Sequence, residues 1–93
     1  MSDTWVYMLR CCDGSLYTGW TSDLDRRIAR HQAGKASRYT ASRQPVQLAL
    51  ALPMADRTAA RREEARIKML PRAHKLALIE SQIPVRGSLQ KVC

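Results

Sequence analysis

The sequence has little that would staple, anchor or repeat it. Cysteine occurs three times in 93 residues, at Cys11, Cys12 and Cys93. Neighbouring strand residues point to opposite faces, so Cys11 and Cys12 suit neither a shared metal nor a mutual disulfide. An odd count without zinc spacing points to a reducing compartment and to thiols without a role. Phenylalanine is absent, which leaves two tryptophans and three tyrosines as the aromatic set. The N-terminal apolar run, Trp5 to Leu9, is too short for a signal peptide and has no basic flank before it. No run approaches the ~20 apolar residues of a membrane-spanning helix, so the cytoplasm is the expected location. There is no internal repeat, and no low-complexity segment beyond an alanine bias. Acid is also scarce: 8 Asp and Glu stand against 16 Lys and Arg, for a net charge of +8.

Ninety-three residues form one domain with one small core. Residues 1–84 are expected to be that domain, and 85–93 a mobile tail. A single compact domain without a coiled coil is expected to be a monomer. A strong positive charge attracts a polyphosphate backbone and raises encounter rates. The plainer alternative is a solvated basic surface. Nucleic acid is the favoured partner because the basic residues cluster with tyrosines and a histidine.

Trp5 to Leu9 is rich in strand formers. Asp13-Gly14 is the strongest hairpin signal, since glycine takes positive φ freely. Ser15 to Thr21 then pairs back as a second strand. Gly19 interrupts it, as glycine does where a ligand or backbone comes close. Ser22 and Asp23 are N-cap types, Asp25 suits the first turn, and Gly34 suits the end of the helix. Lys35 to Gln44 reads as a basic surface loop. Val46 to Leu52 reads as a third strand stopped by Pro53. Asp56 or Thr58 caps a second helix running to about Leu70, where Pro71 ends it. A shorter helix covers about Arg72 to Ser81. Met1 to Thr4 is expected to fray. The order is strand, strand, helix, strand, helix, helix: an α+β fold with a three-stranded, mostly antiparallel sheet flanked by helices.

Several residues in this frame can carry chemistry. Tyr7 and Tyr17 lie across one tight turn, where a hairpin brings them to one face. Their hydroxyls can donate, accept or lose a proton; they can equally form a cross-strand aromatic pair. A 3.6-residue period puts Arg27, Arg30 and His31 on one side of the first helix and Arg26 away from it. Arginine's fork fits phosphate bidentately, and a solvated helix face is the alternative. Glu63 and Glu64 flank the apolar side traced by Ala60, Ile67 and Leu70. An acid there needs a counterion or a metal, or it pairs with Arg61, Arg66 or Lys68 on the same helix. Periodicity does not choose between the two glutamates. A single carboxylate suits Mg²⁺, which takes one or two protein oxygens and keeps several waters. Lys35, Arg38 and Arg43 suit nucleic-acid backbone contacts or solvated loop positions. His74 and Tyr39 read as surface or rim residues.

Taken together these residues resemble the GIY-YIG nuclease family, in its small stand-alone bacterial form. The two three-residue motifs of the family look like Trp5-Val6-Tyr7 and Tyr17-Thr18-Gly19, followed by Thr21, Arg27 and His31. Its metal-binding glutamate matches Glu64. Trp5 stands where the first motif has glycine, Trp20 where a smaller residue, Lys or Ile is usual, and Gln82 where an asparagine is frequent. The resemblance implies a nuclease dependent on a divalent metal, Mg²⁺ or Mn²⁺, hydrolysing phosphodiester bonds in DNA, in repair or recombination. It implies that Glu64 holds the metal, that Arg27 binds the phosphate, and that Tyr7 or Tyr17 activates water with His31 assisting. Gly19 would admit the strand being cut, and Arg30, Lys35, Arg38 and Arg43 would contact nucleic acid. The alternatives are a catalytically weak or inactive nucleic-acid-binding module, and a subunit whose protein partner supplies specificity.

Overall fold

A computed structural model of the protein describes residues 3–82. The expected tail at 85–93, Cys93 and the side chain of Gln82 lie outside the described residues. The strands are β1 (Thr4–Cys11), β2 (Leu16–Thr21) and β3 (Val46–Met54), and the helices are α1 (Leu24–Gln32), α2 (Arg38–Ala41), α3 (Arg57–Lys68) and α4 (Arg72–Gln82). The sheet order is β2-β1-β3, with both pairings antiparallel. The α+β architecture is therefore the expected one.

The β1–β2 hairpin turns at Gly14, whose φ of +86° only glycine adopts without strain. Asp13 braces the turn by accepting from both the backbone N–H and the hydroxyl of Ser15. As the middle strand, β1 is covered on both faces, which is why Val6, Tyr7, Met8 and Leu9 are all buried in succession. Alternation splits them. Val6 and Met8 join Ala49, Leu50, Ala60, Ile67 and Ile79 on the α3–α4 face. Tyr7, Leu9 and Cys11 join Val46, Leu24 and Ile28 on the α1 face. Each fully buried Leu, Ile or Met contributes roughly 1.5–3 kcal/mol relative to exposure. The site lies where these two layers meet the β1–β2 hairpin.

Three local expectations are corrected, and one open alternative is settled. Thr4 does not fray: it is buried and pairs with Met54. The stretch read as a loop contains α2, started by Ser37, whose hydroxyl accepts from the Thr40 N–H. Pro53 does not stop β3, because β3 is an edge strand and the missing N–H removes no ladder bond from a further neighbour. A register shift opposite Met8 and Leu9 skips Ala49, so Ala49 and Leu50 both reach one core cluster, which explains the loose alternation. Asp56, not Thr58, caps α3, accepting from the Ala59 N–H. Cys11 is free and buried. Among the described residues no helix is long and apolar enough to cross a membrane.

Candidate active site

Pairing across the hairpin sets the site. Tyr7 faces Gly19, and Leu9 faces Tyr17, so Tyr7, Tyr17 and Gly19 share the α1 face. The two tyrosine rings lie 6.4 Å apart between centroids, as a diagonal rather than a direct pair. Gly19 provides the room: a Cβ there would sit 2.6 Å from the Tyr7 hydroxyl and 2.8 Å from its Cζ. The missing side chain at Gly19 thus leaves room for the Tyr7 ring.

His31 projects from α1 onto this face and is 1% exposed. Its Nε2 lies 2.7 Å from the Tyr7 hydroxyl, and its ring stacks edge-on at 5.6 Å from Tyr7 and tilted at 5.0 Å from Tyr17. Burial, then the nearby Arg27 guanidinium, lowers the His31 pKa from 6.5 to about 4. The histidine read as part of a basic face is therefore neutral at pH 7. Burial and the Tyr17 hydroxyl push Tyr7 up to about 12, against a smaller opposing pull from Arg27. Arg27 is exposed yet acts on both Tyr7 and His31.

Glu64 comes from α3. Its carboxylate lies 3.2 Å from Lys68 Nζ, and its charge reaches Tyr7, whose pKa it helps raise. It lines a cavity of about 470 Å³ with Trp20, Thr58, Arg61 and Arg62. Trp20 therefore shapes the opening beside Glu64, on the sheet face opposite Tyr7. Glu63 is committed elsewhere: Arg66 binds it through two nitrogens at 3.0 and 2.5 Å and holds its carboxyl below the usual range.

The fold does not gather all the expected basic contacts. Arg30 is exposed and donates to the Lys35 carbonyl at 2.9 Å. Arg43 pairs with Asp13 at 3.1 Å and lies 3.9 Å over the Tyr39 ring. Lys35 and Arg38 are exposed on the segment around α2. Tyr39 packs 5.8 Å from Tyr17, at the rim of the aromatic group. His74 lines a separate groove with Arg66 and Leu70.

Sequence reasoning missed two residues here. Thr40 is fully buried, with its hydroxyl 2.8 Å from His31 Nδ1. The Gln44 side chain donates to the His31 carbonyl at 2.6 Å and the Thr40 carbonyl at 3.0 Å, tying α1, α2 and the start of β3 together. The readable signal was Ser37 followed three residues later by Thr40, a helix-start pattern inside a stretch taken for loop.

A single carboxylate beside an open cavity matches the donor set of Mg²⁺ or Mn²⁺, which fill their coordination with water and phosphate oxygens. Among the described residues no three His, Cys, Asp or Glu cluster into a closed metal cage.

The sequence matches the GIY-YIG catalytic domain over residues 3–77. It is 46% identical over 78 residues to UPF0213 protein OB0043 of Oceanobacillus iheyensis, covering 84% of this chain and 91% of that one. It is 42% identical to UPF0213 protein SH2523 of Staphylococcus haemolyticus, covering 88% of this chain and all of the relative. The solution NMR structure of UPF0213 protein BH0048 from Bacillus halodurans superposes with a TM-score of 0.54 at 38% identity, covering 96% and 86% of the two chains. The tyrosine–histidine–arginine cluster on the hairpin therefore sits in a chain that belongs to the GIY-YIG nuclease family.

Proposed function

We propose that this domain hydrolyses phosphodiester bonds in DNA, using a divalent cation, Mg²⁺ or Mn²⁺, held by Glu64. The observation that carries the reading is the buried Tyr7–His31 hydrogen bond of 2.7 Å with an exposed guanidinium, Arg27, acting on both members. That is a proton acceptor beside an anion receptor.

Tyr7 takes the proton of the attacking water as its own hydroxyl proton moves to His31 Nε2. The hand-over explains how a hydroxyl with a pKa near 12 can serve at neutral pH: free tyrosinate never has to accumulate. At any pH well above about 4 His31 is neutral, with one ring nitrogen lone pair free. Arg27 binds the non-bridging oxygens as charge builds on the phosphate. Tyr17, half-buried at the mouth of the cluster, orients the phosphate or its water. Glu64, released from Lys68, holds the cation; bound there, it would neutralise charge on the leaving oxygen. The net charge of +8 favours the DNA polyanion. A role in repair or recombination, and a protein partner that directs the domain to its substrate, are compatible with so small a recognition surface.

The test is nicking of supercoiled plasmid and of labelled single-stranded and branched DNA, with Mg²⁺ or Mn²⁺ against EDTA. Parent, Glu64→Gln and Glu63→Gln are purified identically. The parent and Glu63→Gln should cut only with metal, and Glu64→Gln should lose at least about a hundredfold in rate. Full-rate cleavage by Glu64→Gln would sink the metal assignment. DNA binding without cleavage by the parent would leave a binding module.

A further inference from the structure

We propose that Thr40 is a positioning residue that fixes the tautomer of His31, and thereby makes His31 Nε2 the acceptor of the Tyr7 proton. The inference rests on the proposed hydrolytic reading and adds a residue to it.

The geometry is a buried chain. Ser37, Thr40, His31 and Tyr7 are linked in sequence by contacts of 3.0, 2.8 and 2.7 Å. Thr40 is 0% exposed and His31 1%, so the hydrogen bond between them is shut off from bulk water. A neutral imidazole has one donor and one acceptor nitrogen, and its partners decide which is which. The Thr40 hydroxyl has one proton. In the proposed arrangement that proton goes to Ser37, whose carbonyl at 3.4 Å can only accept and whose hydroxyl oxygen lies at 3.0 Å. Thr40 Oγ1 is then left as an acceptor for His31, so Nδ1 carries the hydrogen. Nε2 is left with a lone pair, aimed at the Tyr7 hydroxyl, which donates. In this arrangement Tyr7 can accept a proton from water as it gives its own to His31. In the opposite tautomer Nε2–H would donate to Tyr7, and His31 would have no lone pair facing it.

The surroundings maintain the direction. The groups facing His31 are Arg27 from its own helix, Tyr7 from β1, Tyr17 from β2 and Thr40 from α2. None is a carboxylate that would draw a second proton onto the ring. Gln44 holds the backbone carbonyls of both His31 and Thr40, which fixes the separation of the two side chains. Thr40 touches neither substrate nor reacting atoms; it acts through His31.

The experiment reads the tautomer directly by nitrogen-detected NMR of the histidine ring in the full chain at neutral pH. The parent is compared with Thr40→Val, which keeps the shape and removes the hydroxyl, and with Thr40→Ser, which restores it. The parent His31 should carry its hydrogen on Nδ1. In Thr40→Val the signal should move to the Nε2–H form, kcat for DNA cleavage should fall about tenfold to a hundredfold, and KM should hold. Thr40→Ser should recover both the tautomer and most of kcat. A parent His31 protonated on Nε2 overturns the proposal with no variant needed, even if Thr40→Val does not fold. So does a Thr40→Val protein that changes tautomer yet keeps the parental kcat. The tautomer is read without turnover, so absence of cleavage by the parent counts against the nuclease reading, and an Nε2–H parent counts against Thr40.

Discussion

Burying His31 in its neutral form ties the stability of the domain to pH. The unfolded chain binds a proton at His31 with a pKa near 6.5, whereas the folded chain resists it until about 4. Between those values the unfolded state holds more protons, so lowering the pH favours unfolding. The contribution is present above pH 6.5 and is lost as pH falls toward 4. A gap of about 2.5 pKa units at ~1.4 kcal/mol each is about 3 kcal/mol in all, of which about 2 kcal/mol disappears between pH 7 and pH 5. That is a large share of the stability of a domain this size. Asp13 and Glu63, held below the ordinary carboxylate range by their hydrogen-bond partners, lose stability in the same direction as the pH falls further. Urea unfolding of the parent at pH 7, 6 and 5 should show the free energy falling by about 2 kcal/mol. His31→Gln, less stable throughout, should lose that slope. A parent whose unfolding free energy is level from pH 7 to pH 5, or a variant with the parental slope, would refute the reasoning.

Two other expectations follow from packing. Gly19→Ala puts a methyl group against the Tyr7 hydroxyl and Cζ, so the ring must move off His31; we expect a loss of about 1–3 kcal/mol in urea unfolding and a fall in nicking of more than about tenfold, and parental nicking would show that the ring position is unimportant. Thr18 is buried with its hydroxyl unpartnered on the opposite sheet face. Thr18→Val should therefore be neutral or stabilising by up to about 1 kcal/mol in the same measurement, and a clear destabilisation would reveal a hidden partner.

Much of this was legible in the chain because local signals agreed with tertiary demands. Asp13-Gly14 set the hairpin, Asp23 capped α1, and Pro71 separated α3 from α4, each through backbone chemistry confined to a few residues. The apolar run in β1 signalled a strand covered on both sides, although alternation alone could not reveal that Tyr7 would be among its most deeply buried members. What escaped was set by distant partners. The neutrality of His31 comes from burial between elements, where a helical projection shows only a basic face. Thr40 entered the site through a one-turn helix too short for periodicity to register. Pro53 continued its strand because, among the described residues, β3 has one neighbour, and a sequence does not display which strand is at the edge.

The position of β1 also divides the labour of the site by rigidity. Tyr7 lies on the middle strand of the sheet, paired along both sides, and its partner His31 is buried beside it. Moving that hydroxyl means disturbing the middle of the sheet, so the proton transfer proposed above would be anchored to a strand paired on both sides. Arg27 stands on an exposed helix surface, and Glu64 faces an open cavity from another helix. Under the proposed reading, the groups that would meet the phosphate can adjust to the shape of an incoming nucleic acid while the proton path stays fixed. A frame of this kind can accept substrates of differing contour without retuning its chemistry.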